Sequence, residues 1–204
     1  MKHPEYQTWA FHNLTEQSVR DIIAQTKIPQ TVVEIGVFQG YFTFAMTHMI
    51  APHDPHYRHY AIDPYADSQE LDKTDITQAG DIFRNNLRIS PLKQHIEFLH
   101  MPSNLGLLEL WKRNIQADFI YIDGDHRASG VLQDLVLSWQ VLKTGGVILC
   151  DDAHDWIYTN PQGESAVQYS PRMAIDGFLH CNWHKVKHLK LSNSSQAAFV
   201  KLQD

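Results

Sequence analysis

Cysteine is nearly absent. Cys150 and Cys181 are the only two in 204 residues, too few for a disulfide framework, and Cys150 ends an apolar strand-like run where a free buried thiol is common. Long hydrophobic runs are missing as well. No stretch approaches a membrane span, and Met1-Lys2-His3-Pro4-Glu5-Tyr6 lacks the apolar core of a secretory signal, so the expected location is the cytoplasm and no membrane partner is expected. Basic charge is in deficit, with 17 Lys and Arg against 23 Asp and Glu and a formal net charge of -6. With no basic patch visible, nucleic acid is not an expected partner. The 13 histidines are scattered and show no HExxH spacing. No repeat, low-complexity segment or composition shift divides the chain, so residues 1–204 are expected to form one domain. What is present is ordinary: 43% hydrophobic and 20% charged residues are enough to build a core without staples.

Along the chain the hydrophobic period alternates. A helix is expected over 13–26, where Asn13 and Glu16 have capping-box spacing, Leu14, Val19, Ile22 and Ile23 share a face, and Pro29 stops the chain. Thr31 to Ile35 is a β-branched run ending in Gly36, followed by a helix-compatible segment over 40–50. Further strands are expected at His59–Asp63, Ile96–Leu99, Phe119–Ile122 and Val147–Cys150, with helices at Thr77–Ile89, Leu105–Asn114 and Gly130–Leu142 between them. Gly145 and Gly146 are expected to turn the chain into the fifth strand. The tail differs: a short helix over Pro171–His180, then two strands, Lys185–Leu191 and Ala197–Leu202, joined as a hairpin through Ser192 to Ser195. This order implies an α/β fold, a Rossmann-like doubly wound sheet that is mainly parallel and carries a C-terminal antiparallel hairpin. Within it, residues 1–28 form an N-terminal arm and helix, 30–155 a ligand-binding core, and 156–204 a substrate-side loop, helix and hairpin.

In such a sheet ligands sit outside the carboxyl ends of the strands. Acidic residues gather there: Glu34 at the first strand, Asp63 after the second, Asp123 after the fourth, and Asp151 with Asp152 after the fifth. Between Glu34 and Gly40 the loop has glycine at 36 and 40 but Phe38 where a dinucleotide fingerprint would have glycine. That pattern suits a cationic ligand without a pyrophosphate. S-adenosylmethionine, with its ammonium, sulfonium and ribose diol, is such a ligand.

The segment Glu34-Ile35-Gly36-Val37-Phe38-Gln39-Gly40-Tyr41-Phe42-Thr43 resembles the first motif of class I methyltransferases, in particular small-molecule O-methyltransferases. Phe119 to His126, Val131 to Asp134 and Leu142 to Asp152 are similar to the family called methyltransferase 24, so the resemblance covers roughly residues 30–155. It implies the seven-stranded methyltransferase fold and a methyl transfer from S-adenosylmethionine to a hydroxyl of a small-molecule acceptor. By the same likeness Glu34 and Gly36 would line the methionine end of the cofactor, and Phe38 and Gly40 would also bind it. Asp63 would bind the ribose, Ser103 the adenine, and Asp123 and Asp125 would also touch the cofactor. Metal-dependent relatives imply Mg²⁺ or another divalent cation on Asp123, Asp151 and Asp152, and His126 as general base. Relatives are often dimers or larger, so a homo-oligomer is among the expected partners.

Each residue has a plainer reading. Asp151 or Asp152 could cap a turn, Asp63 before Pro64 could form one, and His126 could pair with Asp125. Trp111 and Trp139 are expected in the core, and Asp67 to Asp75 in a solvated loop. Tyr6, Trp9 and Phe11 could cover the substrate or pack on the domain, while His154, Asp155 and Trp156 could border its pocket. Three other functions compete: metal-independent transfer through His126 or Asp125, a noncatalytic cofactor-binding module, and a nicotinamide-dependent oxidoreductase. The last is disfavoured by the first loop.

Overall fold

A computed structural model describes residues 12–66, 73–153, 170–193 and 195–204. Its core is one seven-stranded sheet in the order β3-β2-β1-β4-β5-β7-β6. The strands are β1 (Thr31–Ile35), β2 (Arg58–Ile62), β3 (Ile96–Leu99), β4 (Ala117–Ile122), β5 (Leu142–Cys150), β6 (Val186–His188) and β7 (Ala197–Lys201). The first five run parallel, and β7 pairs antiparallel with both β5 and β6.

Among the described residues six α-helices cover the sheet: α1 (His12–Gln25), α2 (Tyr41–Ile50), α3 (Lys73–Ile89), α4 (Ser103–Lys112), α5 (Ala128–Val141) and α6 (Pro171–Cys181). Because side chains alternate along a strand, β1 sends Val33 and Ile35 into a core with Leu107 and Leu110 of α4, Leu135 of α5 and Phe178 of α6. Val32 faces the other way, toward Val19 and Ile22 of α1 and Phe42 and Met46 of α2. A third cluster, Phe44, Ala61, Phe83 and Ile96, seats α3. Burial on both faces explains why these strands are nearly continuous apolar runs. The buried ammonium of Lys201 donates to the carbonyls of Trp139 and Leu142, 3.0 Å each, and so fastens β7 to the end of α5.

Several boundaries differ from the sequence expectation. β1 and β3 match it, but β5 starts at Leu142, directly after α5. Gly145 and Gly146 therefore do not turn the chain into the strand; they lie inside it. Ala117 pairs with Leu142 and Phe119 with Val147, so β5 carries extra residues that bulge out at Gly145, whose φ is 85°. α3 begins at Lys73, which puts Asp75 in its first turn rather than in a loop; residues 67–72 lie outside the described residues. α1 begins at His12, and Glu16 makes no capping box. Its carboxylate accepts from Tyr41 of α2 and from Arg20. Trp139 is buried as expected, but Trp111 is 54% exposed on the outer side of α4. Among the described residues no helix is long and apolar enough to cross a membrane.

One buried carboxyl makes the fold sensitive to pH. Asp134 on α5 is 2% exposed, and no partner among the described residues reaches its Oδ1. Burial pushes it up to about 7, against the opposing pull of the Ser103 hydroxyl. Between the unfolded value of 3.8 and that value the folded chain binds more protons than the unfolded one. Stability is therefore lost as pH rises through this window, by up to about 4 kcal/mol from this group. Asp134→Asn is expected to flatten that part of the dependence. Urea unfolding of both proteins at pH 5 and pH 8 measures it, and an identical pH difference in the two would refute the assignment.

Candidate active site

The carboxyl ends of β1 to β5 form one rim, and β1 and β4 lie where the strand order reverses, the place at which open α/β sheets bind ligands. The loop after β1 is built into the neighbouring strands. Gly36 donates its N–H to the Ile62 carbonyl at 3.0 Å, and Asp123 donates to Ile35 at 2.8 Å. Gly36 has φ 85°, and a Cβ there would lie 1.9 Å from the Asp123 carbonyl oxygen. Gly40, at φ 88°, starts α2 under the rings of Phe83 and Phe44. Phe38 takes a left-handed conformation too, φ 49°, unusual for a bulky residue and a mark of a constrained loop.

Asp63 supplies much of that constraint. Its Oδ2 accepts from the N–H groups of Val37 and Phe38 at 2.8 and 3.1 Å, and its Oδ1 from Tyr65 at 2.7 Å. Three of roughly four acceptor positions on the carboxylate are thus taken, leaving room for one more donor. The Tyr65 hydroxyl donates to the Phe38 carbonyl at 2.6 Å. The turn after β2 therefore holds the loop after β1 by both its donors and its acceptor. Glu34 is 1% exposed, and its Oε2 meets Thr43 and His59. Ser103 is the first residue of α4, partly exposed just past β3. Asp125 is occupied by Arg127, whose Nε and Nη2 donate to it at 2.9 and 2.6 Å.

The rim is most acidic after β4 and β5. Asp123 Oδ1, His126 Nε2 and Asp152 Oδ2 form a group whose ligand atoms lie within 4.8 Å of one another. His126 pairs with Asp152 at 2.9 Å and lies 3.8 Å from Asp123, rather than pairing with Asp125. Asp151 stands outside this group. Its Oδ1 accepts the Asp152 N–H at 2.9 Å, and its Oδ2 meets the Tyr121 hydroxyl. Tyr121 also lies 2.9 Å from Asp123 Oδ2. One hydroxyl proton cannot serve two ionised carboxylates; Gln196 also bonds Asp151, and His126 lies 3.8 Å from Asp123. Burial first, then the charge of Asp151, pushes Asp123 up to about 7. Burial likewise raises Asp151 and, together with both carboxylates, the Tyr121 phenol.

Tyr121, Tyr65 and His59 were not read from the sequence. Tyr121 had a signal: two residues before Asp123 on a strand, it must share its face. Tyr65 and His59 act across strands and loops, where no local pattern points to them. The segments with Tyr6, Trp9 and Phe11, and with His154, Asp155 and Trp156, lie outside the described residues.

The sequence model of the methyltransferase 24 family, described as a methyltransferase domain, matches residues 33–153. The chain belongs to this family. It is a class I S-adenosylmethionine-dependent methyltransferase, and its sheet order with the antiparallel β7 is the fold of that class. No curated protein matches the sequence. Among solved structures, the methyltransferase is similar to the O-methyltransferase from Bacillus cereus in complex with SAH, with 16% identity and a TM-score of 0.65 over 98% of this chain and 84% of that one. It is also similar to the calicheamicin methyltransferase CalS11, at 12% identity and a TM-score of 0.64 over 95% and 80%. A third likeness is to SAH-bound PaMTH1 of Podospora anserina, 16% identical with a TM-score of 0.58 over 93% and 78%. At these identities the likenesses establish the shared fold.

Proposed function

We propose that this methyltransferase moves the methyl group of S-adenosylmethionine to a hydroxyl of a small-molecule acceptor, with a divalent cation at the acidic end of its rim. The observation that carries this reading is the convergence of Asp123, Asp152 and His126 on one point beside the glycine loop. The chemistry of these residues fits a cation. Clustered carboxylates repel one another, and Asp123 and Asp151 share the single hydroxyl of Tyr121. Asp123, Asp152 and His126 would hold Mg²⁺ or another divalent ion, with Asp151 fixing the backbone of Asp152 beside them. When bound, the cation supplies charge that lowers the pKa of an acceptor hydroxyl and orients it.

The remaining residues hold the cofactor. Glu34 would take the ammonium at the methionine end, Gly36, Phe38 and Gly40 would let the backbone approach it, and Asp63 would spend its remaining acceptor position on the ribose. Ser103 would face the adenine at the start of α4. Asp123 and Asp125 would border the sulfonium side. Fixing methyl donor and acceptor within one rim is itself a large part of the rate enhancement.

A second reading has specific support. His126 Nε2 lies 2.9 Å from Asp152 Oδ2, which brings together at the rim the residue types of an imidazole general base and a carboxylate partner, and such a route needs no metal. One experiment separates the two. The purified protein, with S-adenosylmethionine and a panel of phenols and sugar hydroxyls, is assayed for released S-adenosylhomocysteine before and after exhaustive chelation. The metal reading expects turnover to fall at least about 100-fold and to return with Mg²⁺ or Mn²⁺. Turnover that survives chelation would establish the histidine route instead.

A further inference from the structure

Beneath the first loop, Glu34 is backed by a set of buried polar side chains to which methyl transfer, as described, gives no part. Tyr57, His59, Glu34, Thr43 and Thr47 are each no more than 1% exposed. The Tyr57 hydroxyl lies 3.0 Å from His59 Nδ1, and His59 Nε2 lies 2.8 Å from Glu34 Oε2. Tyr57 donating to Nδ1 leaves the imidazole proton on Nε2, where it donates to Glu34. The Thr43 hydroxyl donates to the same Oε2, while Thr47 donates to the Thr43 carbonyl at 2.7 Å.

This chain answers a physical difficulty. A carboxylate buried to this degree takes up a proton unless donors stabilise its charge. Burial raises Glu34, the nearby charge of Asp63 adds to that, and the His59 and Thr43 bonds oppose both. The two donors converge on Oε2, and among the described residues none reaches Oε1. Glu34 stands two residues before Gly36, at the root of the loop.

We propose that His59, its tautomer set by Tyr57, is a positioning residue that holds Glu34 as an oriented carboxylate for the ammonium of the cofactor. This inference rests on the reading of Glu34 given under the proposed function. His59 does not touch the ligand; it acts through Glu34.

The test compares two ligands by calorimetry. S-adenosylhomocysteine carries the amino-acid group, whereas 5′-methylthioadenosine keeps the adenosine and sulfur without it. His59→Leu is expected to weaken S-adenosylhomocysteine at least about 10-fold, the scale of one hydrogen bond to a charged group. It should leave 5′-methylthioadenosine within about twofold. His59→Gln, which keeps a side-chain N–H donor, should recover S-adenosylhomocysteine to within about threefold of the parent. Equal losses for both ligands would reduce His59 to a packing residue and overturn the proposal, as would no loss for either.

Glu34→Gln separates this inference from its premise. If it leaves S-adenosylhomocysteine binding intact, the role of Glu34 fails and the inference with it. If it weakens binding while His59→Leu does not, only the positioning role fails. Should His59→Leu not fold, Tyr57→Phe removes a single hydroxyl and is expected to give a smaller loss, about threefold, again confined to S-adenosylhomocysteine. Equal affinity for both ligands, relative to the parent, would overturn the proposal by that route.

Discussion

Gly36→Ala is expected to destabilise the protein by more than about 3 kcal/mol and to weaken S-adenosylhomocysteine binding at least about 100-fold. Two costs combine. An L residue at φ 85° is strained by about 1–2 kcal/mol before any contact is counted. The new methyl group would then lie 1.9 Å from the Asp123 carbonyl oxygen, 2.5 Å from its carbon and 2.7 Å from the Gly124 Cα. All three atoms are backbone, so no side chain can swing aside. Relief requires β1 and β4 to part at their carboxyl ends, where Asp123 also donates its N–H to Ile35. The clash thus reaches the glycine loop and the acidic cluster together. Urea unfolding and calorimetry measure the two effects. A variant with parental stability and affinity would mean that this close approach is wrongly described.

Asp123→Asn is expected to separate function from stability. The amide keeps the shape of the side chain but removes the charge that faces Asp151, His126 and Asp152. Affinity for Mn²⁺, followed by the loss of its free paramagnetic signal, should fall at least about 100-fold, since a direct ligand matters more than its supporting partners. Methyl transfer to hydroxyl acceptors should fall with it. The melting temperature should move the other way, up by about 2 °C or more at pH 8, because one of several crowded carboxylates is gone. The sign follows from protonation: Asp123 is raised to about 7, so its ionised form burdens the fold above that pH. Unchanged Mn²⁺ binding would remove Asp123 from the cation site.

Local patterns made most of the fold legible. β1 is a β-branched run that ends at Gly36, and its limits, like those of β3, are recovered from sequence. The start of β5 was not, because Gly145 and Gly146 have the composition of a turn, and only pairing with Ala117 shows that they bulge within a strand. Trp111 was misjudged because a helical face can be assigned from spacing, but what covers that face cannot. At the site, the acids at strand ends were visible because the topology fixes where ligands bind. Their division of labour was not. Asp151 is turned toward Tyr121, and it is His126 that comes close to Asp123 and Asp152, a matter of side-chain direction that spacing does not reveal. His59 was equally hidden. Its partner, Glu34, lies on a neighbouring strand, 25 residues away in sequence.

The order of strands has a consequence for the order of folding. β7 is the final strand in the chain, yet it is inserted between β5 and β6. The loop before it supplies Gln196, which donates to Thr15 of α1 at 3.0 Å and also bonds Asp151. Asp21 and Gln25 of α1 likewise bond Ser192 and Lys190 near the other end of the chain. Contacts of such long sequence separation form late, after the loop entropy of nearly the whole chain has been overcome. The glycine loop needs only β1, β2 and β4 for its contacts, whereas the Gln196 contact to Asp151 waits until β7 has docked.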